Sequence, residues 1–206
     1  MRNSEKFWDK LAKNYDHPDK IAAINEYQSI QSLKKYLNNT DLVLDLGCAT
    51  GTICCFLAGD VKEIHGIDIS ARMIRIAQKR AAERGLDNTN FSQSTIYSEN
   101  FRKNSINMVL AFSVMHLVPH AEKIMQRIYE LLRPGGYFVS LTPCLREKAI
   151  LSALIFLGKK AGILPNITCF TIKELEKLIT KDNFQLIENK CIDNNPLEYF
   201  IMAKKI

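Results

Sequence analysis

The sequence predicts an α/β protein: a doubly wound, mostly parallel seven-stranded sheet, helices on both faces, and one antiparallel strand near the C-terminus. Three observations carry this. Strand-like and helix-like segments alternate four times between residues 41 and 142, the rhythm of a parallel sheet covered by helices. Two strand segments, Leu42–Leu46 and Met108–Phe112, are nearly continuous apolar runs, as strands buried on both faces require. Near the end, Phe184–Ile192 and Leu197–Ala203 flank Asp193-Asn194-Asn195-Pro196, a hairpin pattern that turns one strand antiparallel.

Each element has its own signal. Residues 4–13 and 18–37 read as helices; Pro18 suits a first helical position, and Ile21, Ile24, Tyr27, Ile30 and Leu33 recur every three residues. Leu42–Leu46 is the first strand, and the apolar stretch Thr52–Ala58 the helix after it. Ile64–Ile69 is the second strand; Ser70 caps a helix over Ala71–Arg84, and Gly85 ends it. Asn90–Ser94 is a short third strand and Ile106–Phe112 a strong fourth. Pro119–Leu132 is a helix closed by Pro134-Gly135-Gly136, and Tyr137–Leu141 is the fifth strand. Arg146–Ala161 reads as an apolar helix with basic ends. Thr171 and Glu174 form a capping box that opens a helix to Lys181.

These elements make one domain over residues 1–206: cap helices in 1–40, a ligand-binding core in 41–142, an apolar lid insert in 143–170, and a helix with the C-terminal hairpin in 171–206. The composition, 47% hydrophobic and 24% charged, excludes a disordered chain, a collagen and a coiled coil. No apolar run reaches the ~18–20 residues that span a bilayer. The N-terminus is charged and lacks the apolar core of a secretory signal, so a cytoplasmic protein is expected. Cys48, Cys54, Cys55, Cys144, Cys169 and Cys191 form no C-x-x-C pair, so they read as reduced thiols and no metal site is expected. The net charge is +6, spread over many segments without an Arg-rich run among aromatics, which argues against a nucleic-acid partner.

The chemistry gathers at two strand ends. The first strand runs into Asp45-Leu46-Gly47-Cys48-Ala49-Thr50-Gly51. Glycines let this turn approach a ligand closely, and the following helix points its free N–H groups back over it. A dinucleotide fingerprint needs G-x-G-x-x-G; Ala49 and Thr52 stand where the later glycines belong, so that pattern fails. Asp45 within the turn suits a ligand carrying positive charge. Asp68 ends the second strand, 21 residues after Gly47, where an acid can accept both hydroxyls of a ribose.

These motifs resemble those of the class I S-adenosylmethionine-dependent methyltransferases, Rossmann-like enzymes. The matching stretches are LVLDLGCATG (42–51), GIDIS (66–70), INMVLAFSVMHLV (106–118) and LLRPGGYFV (131–139), with FWDKLAKNYD (7–16) similar to the lead-in of small-molecule members. The resemblance implies a cofactor, S-adenosyl-L-methionine, leaving as S-adenosyl-L-homocysteine. It implies that Asp45 and the Gly47 backbone hold the methionine amino end, with Cys48, Ala49 and Gly51 packing beside it. It places the ribose on Asp68 and the adenine against Ile69 and Met73, with Ser94, Thr95 and Ile96 reading the adenine amino group and Phe112 completing the set.

The sequence departs from the pattern at three positions. Glycine is commoner at Ala49, where alanine is strained if φ is positive. Asp is common at Thr95, so the Thr hydroxyl or the Ile96 amide would read the adenine. Asn107 replaces an Asp early in strand four. The implied reaction is in-line methyl transfer to a small, apolar or aromatic acceptor, with His116 and Tyr15 as catalytic candidates. A neutral imidazole suits proton removal near pH 7, but Met115, Leu117 and Val118 also make His116 fit as wall. His17 and His120 are expected to face solvent. Residues 1–40 and 143–170 are expected to roof the acceptor. The insert reads alternatively as an interfacial helix over 146–160 making peripheral membrane contact, or as core packing or a dimer face. Two other readings of the whole chain stand beside the first: an RNA or protein methyltransferase, which the absence of an N/D-P-P-Y/F motif at Ala111-Phe112-Ser113-Val114 argues against, and a non-catalytic cofactor-binding regulatory module.

Overall fold

Seven strands hydrogen-bond into one sheet in a computed structural model that describes residues 2–16, 30, 31, 33–160, 164, 167–181, 183–192 and 195–206. The strands are β1 (Leu42–Leu46), β2 (Glu63–Asp68), β3 (Thr89–Gln93), β4 (Ile106–Phe112), β5 (Leu132–Pro143), β6 (Phe184–Ile192) and β7 (Asn195–Lys205). Their order is β3-β2-β1-β4-β5-β7-β6. Only β7 runs against its neighbours, pairing antiparallel with β5 and β6 as the hairpin pattern predicts. The helices are α1 (Arg2–Leu11), α2 (Thr52–Leu57), α3 (Ala71–Glu83), α4 (Ala121–Leu131), α5 (Ala149–Lys160) and α6 (Ile172–Thr180).

Local sequence sets these boundaries. The Ser70 side chain accepts from Met73 N–H at 3.2 Å and caps α3. Thr171 and Glu174 make both bonds of the capping box that opens α6. All seven residues of β4 are buried, which explains its unbroken apolar run. One face of the sheet packs Leu44, Val109 and Phe138 against α4 and α6, through Ile128 and Leu175. The other packs Val43, Leu110 and Val139 against α2 and α3, through Leu57 and Ile74.

Three elements differ from expectation. The fifth strand begins at Leu132, not Tyr137: Leu132 pairs with Ile106, the register shifts, and pairing resumes at Met108 with Tyr137. Pro134-Gly135-Gly136 is therefore an irregularity inside a strand rather than a helix stop. A side chain at Gly136 would come within 2.9 Å of the Asn107 carbonyl, so glycine allows the two strands to stay close. Helix α4 starts at Ala121 rather than Pro119. Of the expected helix 18–37, residues 18–29 and 32 lie outside the described residues; 30, 31 and 33 are helical and 34–36 form a 3-10 turn.

Candidate active site

The strand order turns back between β1 and β4, so the connections leaving their carboxyl ends diverge and open a crevice. A cavity of about 450 Å³ lies there, within the ~300–1,000 Å³ usual for small-molecule sites. The turn after β1 forms part of its wall. Gly47 takes φ +73°, and a Cβ on it would lie 2.6 Å from Val114 Cγ2. Glycine alone lets this backbone pass so near the loop after β4. The N–H groups of Gly47 and Cys48 both donate to the Ile67 carbonyl, at 2.8 and 3.0 Å, tying the turn to β2.

Asp68 stands in the cavity wall at the end of β2. Its Oδ2 accepts from Ala49 N–H at 3.1 Å and its Oδ1 from Ser70 N–H at 2.8 Å. Both oxygens are fixed in place, and each keeps a further lone pair. Burial raises this carboxyl above its ordinary value, while the N–H groups of Ser70, Ala49 and Ile69 pull it back. Among the described residues it is the one acid of the wall, and Ile69, Met73, Ile96 and Phe112 stand around it. A fixed acceptor beside apolar side chains matches a nucleoside, whose ribose hydroxyls donate and whose base packs.

Backbone strain gathers at the same cavity. Of the non-glycine residues with positive φ among the described residues, Ala49 (+47°), Ser113 (+54°) and His120 (+55°) line it. The others, Asn104 and Asn183, are of a type that tolerates this conformation. Strain of ~1–3 kcal/mol per residue persists where the surroundings enforce it, and it concentrates at functional sites. The departure at Ala49 is therefore a strained one.

Helix α1 supplies a wall that carries Ser4 and Trp8, with Tyr15 just beyond. Two acids hold it. Asp9 accepts from Ser70 Oγ at 2.6 Å and from Arg72 N–H at 3.1 Å. The Ser70 hydroxyl keeps the Asp9 carboxyl below its ordinary value. Asp16 accepts from Thr50 Oγ1 at 2.7 Å and pairs with Arg80 at 2.5 Å. Arg80 in turn donates to the Thr50 carbonyl at 2.7 Å, so the lead-in is latched to the turn after β1.

Of the residues singled out by sequence, Tyr15, Gly47, Ala49, Asp68, Ile69, Met73, Ser94, Thr95, Ile96 and Phe112 line the cavity. Asp45, Cys48 and Gly51 are buried and stand outside its wall. Asp45 Oδ2 accepts from Cys54 Sγ at 3.2 Å. Burial, then the Asp45 carboxylate, push the Cys48 and Cys54 thiols well up, so both are protonated packing groups. A Cβ on Gly51 would come within 2.8 Å of Ala77 and Phe91, which fixes glycine at that point.

His116, the expected base, is not in the wall. Its Nδ1 is buried and has no hydrogen-bond partner among the described residues. Burial pulls the imidazole down to about 4, so it is neutral at pH 7. His120 is exposed, as expected, and also lines the cavity rim together with the exposed Lys123; His17 lies outside the described residues. No described residue of 143–170 lines the cavity either. Thr168 N–H donates to the His116 carbonyl and Arg146 N–H to that of Phe170, so the insert folds back behind the loop after β4. Leu154 and Phe156, expected over the acceptor, are 59% and 64% exposed.

Sequence reasoning did not single out Trp8, Val114 and Lys123, and named Leu117 and Val118 only as wall beside His116. Trp8 had a signal: it lies inside the FWDKLAKNYD stretch (7–16) that the resemblance had already picked out. Among the described residues no group of three His, Cys, Asp or Glu is placed to hold a metal.

A family model described as a methyltransferase domain matches residues 37–199. The ubiquinone biosynthesis O-methyltransferase of Cupriavidus pinatubonensis is 27% identical over 161 residues, 75% of this chain and 64% of that protein. The demethylmenaquinone methyltransferase of Lactiplantibacillus plantarum is 25% identical over 148 residues, 68% of this chain and 62% of that protein. The matches thus span a little under two thirds of these relatives. The crystal structure of geranyl diphosphate C-methyltransferase from Streptomyces coelicolor, with Mg2+, geranyl diphosphate and S-adenosyl-L-homocysteine, superposes with a TM-score of 0.74. It is 14% identical and covers 88% of this chain and 79% of its own, a likeness of fold.

Proposed function

We propose that this chain, which belongs to the methyltransferase-domain family, transfers a methyl group from S-adenosyl-L-methionine to a small, apolar or aromatic acceptor. The observation that carries this reading is the Asp68 carboxylate, fixed by two backbone N–H groups in the wall of a predominantly apolar cavity at the sheet's switch point. When bound, the cofactor supplies a methyl group already activated on a sulfonium.

The chain's own residues bind, orient and exclude water. Asp68 accepts the ribose hydroxyls, Ile69, Met73 and Ile96 pack the adenine, and Ser94 and Thr95 face its polar edge. Gly47 and Ala49 bring the turn against the amino-acid end, with the buried Asp45 behind them. Trp8 and Tyr15 close the outer side, held by Asp9 and Asp16. Phe112, Val114, Leu117 and Val118 shape the acceptor side, and their apolar surface selects an apolar or aromatic acceptor. Both quinone-pathway relatives carry names that fit such an acceptor. Positioning alone can supply up to ~7–11 kcal/mol of barrier reduction. Of the two catalytic candidates, Tyr15 is the one that lines the cavity. His116 acts from behind as a neutral prop for the loop that carries Val114 and Leu117.

The test is incubation with methyl-labelled cofactor and fractionated cell extract. Label in a small apolar metabolite is expected. Label confined to RNA or protein, or none anywhere, overturns the assignment.

A further inference from the structure

Helix α5 is built inside out. Ile150, Ala153, Leu154 and Leu157 fall at i, i+3, i+4 and i+7, one face of a helix. That spacing ordinarily marks the face turned to the core, but here it faces outward: Ile150, Leu154 and Leu157 are 80%, 59% and 60% exposed. Phe156 flanks the stripe and is 64% exposed. Ile155 is the residue of α5 that the fold buries. A contiguous apolar face of this kind marks an interaction surface.

Charge says what the surface meets. From Lys148 to Lys173 the chain holds four lysines and no acid. Lys148 and Lys160 are exposed at the two ends of α5, and Lys159 donates to the Ile167 carbonyl at 2.7 Å. Two copies joined through this face would place the same patch on itself, cations against cations. An anionic surface with an apolar interior neutralises the lysines and takes up the stripe. With 12 residues, α5 extends ~18 Å, and no helix among the described residues is long and apolar enough to cross a membrane.

We propose that α5 is an interfacial helix that docks the protein on an anionic lipid surface, Ile150, Leu154, Phe156 and Leu157 entering the acyl boundary and Lys148 and Lys160 meeting headgroups. The insert touches the catalytic half through Thr168 N–H, which donates to the carbonyl of His116 at 2.7 Å, next to the cavity residues Leu117 and Val118. Docking therefore brings the acceptor side of the cavity beside the lipid. The inference stands on the surface of α5 and does not depend on the chemistry assigned to the cavity.

The experiment is flotation of the full chain with vesicles of phosphatidylglycerol and phosphatidylcholine, and with phosphatidylcholine alone. Binding to the anionic vesicles, weakened by salt, is expected. Lys148→Glu and Lys160→Glu each weaken it by about fivefold or more. Leu154→Ser with Leu157→Ser weakens it at least about tenfold. These positions are exposed and outside the cavity, so an unchanged melting curve verifies the fold of each variant. Absence of binding, equal binding to neutral vesicles, or serine variants that bind like the parent overturns the proposal. A dimer in solution that the same serine substitutions dissociate overturns it as well.

Discussion

Replacing Gly47 by alanine tests the turn after β1 at its tightest point. The backbone there has φ +73°, a conformation that costs an L-residue ~1–2 kcal/mol. The new Cβ would stand 2.6 Å from Val114 Cγ2, and overpacking of this sort costs ~1–3 kcal/mol. The stiffer unfolded chain returns ~0.4–1 kcal/mol. The net centres on about 3 kcal/mol, a fall in Tm of roughly 6–12 °C for a chain of this size. Part of the strain is relieved by moving the turn, so S-adenosyl-L-homocysteine binding falls as well. Thermal unfolding with and without that ligand reads both effects. Gly47→Ala with Val114→Ala recovers the packing share and leaves the backbone share. A single variant that melts and binds like the parent, or a double variant no better than the single, refutes the reasoning.

Three further outcomes follow from the same geometry. Ala49→Gly relieves ~1–2 kcal/mol of left-handed strain and gives back ~0.4–1 kcal/mol of unfolded-state freedom, so Tm rises by a few degrees; a lower Tm contradicts the strain at this position. Asp16→Ala releases the latch on the α1 lead-in. The pair is partly solvated, so its loss amounts to ~0.5–1 kcal/mol, and stopped-flow dissociation of S-adenosyl-L-homocysteine quickens about two- to fivefold. Stability also depends on His116. Its folded value is about 4 against an ordinary 6.5, so between those values the unfolded chain holds the extra proton and stability drops as pH falls. Urea midpoints lose ~2 kcal/mol from this group between pH 7 and 5, and His116→Gln removes that share of the slope.

The fold was legible because the strands announce themselves in unambiguous terms. β4 is apolar at all seven positions except Asn107, and glycine at the end of β1 has no role in a strand or helix. Ser70 and the Thr171–Glu174 box mark helix starts to the residue. Pro134-Gly135-Gly136 misled, since the same residues stop a helix or loosen a strand, and the Asn107 carbonyl that demands Gly136 lies on another strand. The cavity wall around Gly47 and Asp68 followed from two strand ends. The rest of the wall did not, because it comes from a loop after β4 and from α1, which only three-dimensional packing brings together. α5 shows the same limit: periodicity defines an apolar face but does not say whether the fold turns it inward.

The most direct measurement is calorimetric titration of S-adenosyl-L-homocysteine into the protein and into Asp68→Asn. One site per chain is expected for the parent and an affinity at least about tenfold lower for the variant, the share of hydrogen bonds made to a charged acceptor. No heat with the parent, equal affinity for the two proteins, or tighter binding of a nucleoside diphosphate would contradict the account.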